Sequence, residues 1–428
     1  MLHQVSTTDA PAQFQTGLRP AELVESDRNE FDSVETNMNA ALWTAGALRL
    51  DPWIGIRDAG FVDSLRLRVD EGGTQTPESL FDFRVVAGAG LRGYVPFGSH
   101  VILSANALQE YNWWASGDRR NLDTFSWAGG LFVQGNRADL ELKSSSRERQ
   151  DFATSEVEIL SLNQTDENRA QFQIRMVRSL HLFARGADAS RRYSPLEGEA
   201  EEPVRGLDRD DTTWTAGLRM DLGGYIDIGL GYQESDVDFV DGSRSHIATG
   251  PVLEFDYRGP SFNYRMDLLA GDVEPKPGAV MEPFDGLFGQ FNVDFAPQRR
   301  LDISLFGQNF ANYNSTSPGF SHYLFTRLGL RFGIPIGTRV RTDLFIAVGE
   351  NDYEPTADNT ETTRTDDVFS WGIGVSVPFH EYLSLNLRYR SEDFSSDFPG
   401  ADRTRTSVGI GIGIGLSSAG NLDWASWP

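Results

Sequence analysis

Arginine and carboxylate side chains that recur in step with aliphatic neighbours are the residues of this 428-residue chain whose types and spacing could do chemistry. The cations are Arg84, Arg92, Arg169, Arg175, Arg185, Arg219, Arg265, Arg327, Arg331, Arg339, Arg341, Arg388 and Arg390. They are set against Asp82, Asp139, Glu141, Asp227, Glu254, Asp256, Asp267, Asp294, Asp302 and Asp343. A guanidinium is a planar fork that meets carboxylate or phosphate at two points. Both signs on the wall of an aqueous channel would create a transverse field that selects and orients charged solutes or sugars. The plainer role for the same residues is cross-strand pairing that stiffens the wall. Phe183, Phe288, Phe306, Tyr323 and Phe325 could stack on sugar rings along the same face, or pack against one another.

Other chemistries find no complete constellation. Gly88-Ala89-Gly90-Leu91-Arg92-Gly93 has the spacing of a dinucleotide loop, but it leads to Pro96 and a hairpin where that site needs a helix N-terminus. Asp236, Asp238, Asp241 and Gly242 resemble a calcium loop, yet Ile247 stands where a bidentate carboxylate is required. The run Glu197, Glu199, Glu201, Glu202, Asp208, Asp210 and Asp211 reads as a solvated acidic loop, with divalent-cation binding at the cell surface as the alternative. His3, His100, His181, His246, His322 and His380 lack the close spacing of a zinc site. No Ser is paired with a base, so neither catalysis, a metal nor a cofactor is expected.

The composition has 43 Gly, 28 Phe and no Cys, which points to a folded, β-rich chain. A net charge of -24 opposes the positive surface that nucleic acid demands, so no nucleic-acid partner is expected. Lys143 and Lys276 are the only lysines; the other cations are arginines, through GC-rich coding or through selection for guanidinium contacts in a channel. No apolar run approaches the ~18 residues of a membrane helix, a test that says nothing of membrane strands, which need only ~9–11 alternating residues. Met1 is not followed by a basic and then apolar leader.

Period-2 alternation dominates from Leu48 onward. Val408, Ile410, Ile412, Ile414 and Leu416 are separated by single glycines, and Leu383, Leu385, Leu387 and Tyr389 alternate with Ser384, Asn386, Arg388 and Arg390. Strand centres fall near residues 53, 87, 105, 127, 140, 173, 184, 217, 229, 254, 266, 291, 305, 327, 343, 373, 386 and 411. Connections after every second strand are tight, as at Pro96-Phe97-Gly98, Gly135-Asn136-Arg137, Gly223-Gly224 and Pro335-Ile336-Gly337. The others are long and polar, over 58–79, 188–211, 272–285, 350–366 and 391–404. Tight turns on one rim and long loops on the other are how transmembrane barrels are built, and an even strand number puts both termini in the periplasm. Charges cannot face lipid cheaply, which would send the arginines and acids inward. Tyr94, Trp113, Trp127, Trp214, Tyr225, Tyr264, Trp371 and Tyr382 are candidates for aromatic girdles.

Three stretches carry a family resemblance. They are Leu50-Asp51-Pro52-Trp53-Ile54-Gly55-Ile56 followed by Asp58; Tyr111 through Arg137, with Arg119, Arg120 and Asn121 before Asp123; and Tyr382 to Tyr389 with Arg390-Ser391 and the closing strand from Thr404. In these the chain resembles the outer-membrane porins associated with exopolysaccharide export loci, a family of large single-chain barrels. The resemblance implies a place in polysaccharide secretion, with a periplasmic export protein as partner. One departure is the C-terminal stretch Gly420 to Pro428, with Trp424 and Trp427, after the last strand; it could be an extension tucked into the pore or held by a periplasmic partner.

The expected fold is all-β: a single antiparallel up-and-down barrel of about eighteen strands in the outer membrane, surrounded by lipid and lipopolysaccharide. It spans residues 48–418, after a flexible acidic segment 1–47 with one helical turn near Asn37 to Leu42, and before a tail at 419–428. The expected function is a pore for polysaccharide export. Two alternatives stay open: a general diffusion porin, and a closed structural barrel that scaffolds an envelope complex.

Overall fold

The computed structural model describes residues 30–69, 75–115, 121–152, 160–195, 206–298, 301–313, 320–337, 340–356, 364–380, 383–397 and 402–415. The chain opens with helix α1 (Glu30–Ala40) and the short strand β1 (Trp43–Ala45). There follow β2 (Leu48–Val69), β3 (Gln75–Phe97), β4 (Val101–Trp114), β5 (Leu122–Gln134), β6 (Ala138–Phe152), β7 (Leu160–Val177), β8 (Leu180–Pro195), β9 (Arg209–Leu222) and β10 (Ile226–Phe239). The second half is β11 (His246–Arg258), β12 (Phe262–Pro275), β13 (Phe284–Gln298), β14 (Leu301–Tyr313), β15 (Phe320–Ile336), β16 (Val340–Pro355), β17 (Arg364–His380), β18 (Leu383–Ser396) and β19 (Arg403–Gly415).

Each strand from β2 onward pairs antiparallel with the next, and β19 returns to β2 through Ser407↔Val62 to Gly415↔Trp53, closing an 18-strand barrel. Closure leaves no edge with unpaired backbone groups, the condition for crossing hydrocarbon in strands. Each expected strand centre lies in its own strand. At the tight β9–β10 connection Gly223 and Gly224 both have positive φ (75° and 77°), a conformation costly to residues with a Cβ.

Alternation sorts the wall into two faces. Leu230 and Ile54, each 61% exposed, stand on the outside with Leu218, Leu328, Ile346, Val348, Leu387 and Ile410. Trp113, Trp127, Trp214 and Trp371 are exposed on this face too, Tyr225 is exposed in the β9–β10 turn, and Tyr382 lies outside the described residues. Tyr94 departs from the expected girdle: it is buried on the inner face against Phe31, Met38, Ile102 and Phe132.

Several stretches expected as loops are strand. β2 and β3 run to 22 and 23 residues and stay paired as far as Val69↔Gln75, and β8, β16 and β18 extend to Pro195, Pro355 and Ser396. These lengths exceed the ~10 residues a bilayer requires, so the strands project beyond it. There both faces meet water; the apolar row vanishes from the sequence while the backbone pairing continues.

The N-terminal stretch also differs from expectation. α1 is an 11-residue helix whose Phe31, Val34 and Met38 recur at helical spacing and pack on Tyr94, Ile102 and Phe132. Those partners are inner-face residues near the tight-turn rim, so α1 sits inside that mouth. Residues 1–29, with most of the expected acidic segment, and 416–428, with the C-terminal tail, lie outside the described residues.

At the long-loop end the wall folds inward. The β13–β14 ladder stops at Gly289↔Asn309, whereas β14–β15 pairing continues to Tyr313↔His322. By parity Tyr313 and His322 belong to the outer face, yet both are buried. Tyr313 meets Phe239 with ring centroids 4.7 Å apart, and His322 stacks on Phe284 at 4.1 Å. Phe239 and Phe284 are inner-face residues of β10 and β13. The end of the β14–β15 hairpin therefore lies inside the barrel with its back against β10–β13, over an apolar cluster that includes Val252, Leu269, Val273, Met281 and Phe288.

Candidate functional site: the charged interior of the barrel

Register lines connect the charged residues into rows. One line runs Arg175, His181, Arg219, Gly229, Glu254, Asp267, Gln290, Gln308 and Arg327 through successive Cα partners from β7 to β15. Cross-strand partners share a face. The parity of each strand extends this face to every described arginine and acid singled out in the sequence. Arg339 lies outside the described residues.

One deeply buried group joins three strands. Glu254, 2% exposed, accepts a hydrogen bond from Arg219 at 2.8 Å and another from Arg185 on β8. Arg219 also donates to Gln173 Oε1 at 2.9 Å. The Phe183 ring lies 5.0 Å from each of the two guanidinium carbons. Two cations on one carboxylate, packed on an aromatic face, form a fixed positive site in a low-dielectric wall.

A second group repeats this pattern across β15–β18. Glu392 accepts from Arg327 at 3.2 Å and from Arg390; Arg327 also reaches Ser370 Oγ. Nearer the tight turns, Asp343 pairs with Arg331 at 3.3 Å and Arg341 at 3.2 Å, and Arg341 reaches Asp302 at 3.3 Å. Arg265 pairs with Asp267 at 3.0 Å, Arg169 with Glu167 at 2.5 Å, and Arg258 with Asp256 and Asp227 at 2.7 and 3.3 Å.

The remaining sites lie elsewhere on the same face. Arg84 stacks on Trp114 at 5.5 Å, Arg92 stands opposite Asp51 in the β2–β3 register, and Asp294 accepts from Ser304 and Asn292. Asp139 accepts from the Gly135 amide, Asp82 from the Phe83 amide, and Glu141 stands opposite Gln171. Arg388 lies opposite Gly374 and Gly409, a bare track along which a long side chain can lie.

The aromatic track is shorter than the sequence suggests. Phe183, Phe288 and Tyr323 are buried, so they hold no free ring face for a sugar. Phe288 packs on the positions of Gly271 and Gly286, and Phe306 over Gly329. A bare glycine lets the ring of an adjacent strand lie flat on the wall. Half-buried Phe306 and Phe325 are what remains of that surface.

The sequence reading missed Arg209, Arg364, Asp366, Glu392 and Arg403. Arg364 pairs with Asp366 at 2.6 Å and stacks on Tyr353 at 4.0 Å; Arg209 pairs with Asp211 at 2.8 Å and stacks on Tyr313 at 5.0 Å. All sit in strand ends assigned to loops. Continuing the inner parity past the aromatic belt would have found them. Glu197, Glu199, Glu201 and Glu202 of the acidic run lie outside the described residues. Asp208, Asp210 and Asp211 are bound locally, to the Tyr193 amide, Arg192 and Arg191. Among the described residues no cluster of His and carboxylates has the geometry of a metal site.

Comparison with known proteins agrees with this architecture. Residues 278–415 match the family model described as "Putative beta-barrel porin 2". No curated protein sequence matches the chain. Among solved structures, OccK2 (OpdF) of Pseudomonas aeruginosa aligns over 86% of this chain and 98% of its own at 11% identity, with a TM-score of 0.52. A BenF-like porin from Pseudomonas fluorescens Pf-5 aligns over 86% and 99% at 10% identity and 0.51. OpdK of Pseudomonas aeruginosa, solved with vanillate, aligns over 86% and 98% at 10% identity and 0.51. At these identities the likeness is one of fold: the chain has the architecture of outer-membrane porins, which are channels.

Proposed function

We propose that this chain is a diffusion porin of a Gram-negative outer membrane, admitting small hydrophilic solutes, with the tight-turn rim and both termini in the periplasm. The observation that carries this reading is the pairing of a greasy exterior with a charged interior that is narrowed from both ends. An eighteen-strand ring is too wide for wall side chains to fill. Here α1 occupies one mouth, and the β14–β15 hairpin end leans into the other. Such an interior suits selection among small solutes better than passage of a bulky polymer, so diffusion is preferred to polysaccharide export.

Reconstitution in planar bilayers and solute-swelling of proteoliposomes test the proposal. Discrete conductance steps, with permeation that falls steeply from monosaccharides to longer oligosaccharides, are expected. No conductance would favour the closed scaffold. Loss of polymer secretion in a deletion strain, with oligosaccharides passing freely, would restore the export reading.

A further inference from the structure

On the inner wall of β14–β17, three long side chains each lie across a glycine of the neighbouring strand. Asp302, Gly333 and Asp343 are cross-strand partners in the row nearer the tight turns. Arg331, Phe345 and Gly372 follow in the next row, and Phe306 and Gly329 in the third. A Cβ on Gly333 would lie 2.7 Å from Arg341 Nη2, and one on Gly329 or Gly372 would collide with the ring of Phe306 or Phe345. Both rings therefore rest on bare backbone. Phe345, which the sequence pattern did not single out, is half-buried like Phe306, and inner parity turns the free part of each ring to the lumen.

Beside the rings stand donors and acceptors in equal number. Arg331 and Arg341 donate, Asp302 and Asp343 accept, and all four side chains are between 22% and 36% exposed. The guanidinium groups are already balanced: Asp343 lies 3.3 Å from Arg331 and 3.2 Å from Arg341, and Asp302 lies 3.3 Å from Arg341. At the margins Arg388, opposite Gly374, and Asp294, opposite Ser304, add one charge of each sign. An anion would meet a carboxylate beside every guanidinium. A neutral polyol finds both partners it needs, because each hydroxyl donates and accepts, and its C–H faces suit the negative face of a phenyl ring. The two rings stand two strands and one row apart, roughly 12 Å, which is more than one sugar ring covers.

We propose that this patch is a binding subsite for short neutral oligosaccharides. Phe306 and Phe345 carry the sugar rings, and the Arg331–Asp343–Arg341–Asp302 network holds their hydroxyls, an apolar platform with a few convergent polar groups. The elements inside the barrel leave it uncovered: α1 packs on Tyr94, Ile102 and Phe132 of β3–β5, and the apolar cluster over β11–β13 lies nearer the long loops. The inference rests on the diffusion reading and adds a preferred solute class to it.

Two measurements on the full-length protein separate the subsite from the channel: single-channel recording in planar bilayers, and titration calorimetry of the detergent-solubilised barrel. Maltotriose and cellotriose should interrupt the wild-type current in proportion to their concentration and give a calorimetric binding signal, whereas glucose and benzoate at equal concentration should do so much less. Phe306→Ala and Phe345→Ala should each weaken trisaccharide binding by about tenfold, and Phe345→Trp, which keeps an aromatic face, should retain it. Heat-modifiable gel mobility verifies the fold of each variant. The subsite is overturned if neither trisaccharide binds wild type, if binding is undiminished in the Phe306→Ala/Phe345→Ala double variant, or if benzoate binds more tightly than the trisaccharides. Trisaccharide binding without any conductance would leave the subsite standing and overturn the channel reading.

Discussion

Glu254 reaches Arg219 by leaning over Gly229, which stands between them in the register and has no side chain to obstruct the path. A Cβ built on Gly229 would lie 2.8 Å from Glu254 Oε2 and 3.2 Å from its Cβ. The glycine and the ion pair are one structural unit. Gly229→Ala is expected to displace the carboxylate and lower barrel stability by about 1–3 kcal/mol. Urea unfolding from lipid vesicles, followed by tryptophan fluorescence, measures this. An unchanged midpoint would show that the carboxylate has room to move.

Glu254 offsets two buried guanidinium groups. Glu254→Gln leaves Arg185 and Arg219 with a neutral partner, so the interior gains positive potential. Reversal potentials in a salt gradient should move toward anion preference, whereas Asp188→Asn, on the outer face, should leave them in place. The pair also bears on folding: Glu254→Ala removes the shared acceptor and should cost about 3–5 kcal/mol.

Leu230 is among the most exposed residues of the outer face. Leu230→Arg should therefore cost about 2–4 kcal/mol if this face meets hydrocarbon near the bilayer midplane. Its folded fraction in vesicles, read from heat-modifiable mobility, should fall well below that of Leu230→Ile. Equal folding of the two variants would mean that Leu230 meets water.

Phe31 and Met38 hold α1 in the tight-turn mouth. Phe31→Asp with Met38→Asp places two carboxylates against Tyr94, Ile102 and Phe132, and should release the helix. Bilayer conductance is expected to rise while barrel stability stays near that of wild type, because the inner-wall ladders are untouched. A conductance equal to wild type would indicate that α1 does not narrow the conducting path.

The two faces of the wall were legible in the sequence because a strand has a period of two and a charge facing lipid is costly. Leu230 beside Gly229 and Gly231, or Leu387 between Asn386 and Arg388, states which way each residue points without any tertiary information. Strand ends were less legible. Arg364, Asp366, Glu392 and Arg403 lie where both faces are polar, and alternation has nothing to alternate.

What the sequence by itself determined is the number of strands, their pairing order, and the inward turn of the arginines and acids; local periodicity and turn length suffice for these. Only the tertiary structure decided which charges meet. Arg185 reaches Glu254 across three strand intervals, and Glu392 is shared by Arg327 and Arg390, through contacts that depend on wall curvature and on glycines leaving room. The same holds for the seating of α1 in one mouth and for the turning of Tyr313 and His322 into the other. Those side chains have outward parity, and only the parting of β14 from β13 brings them inside.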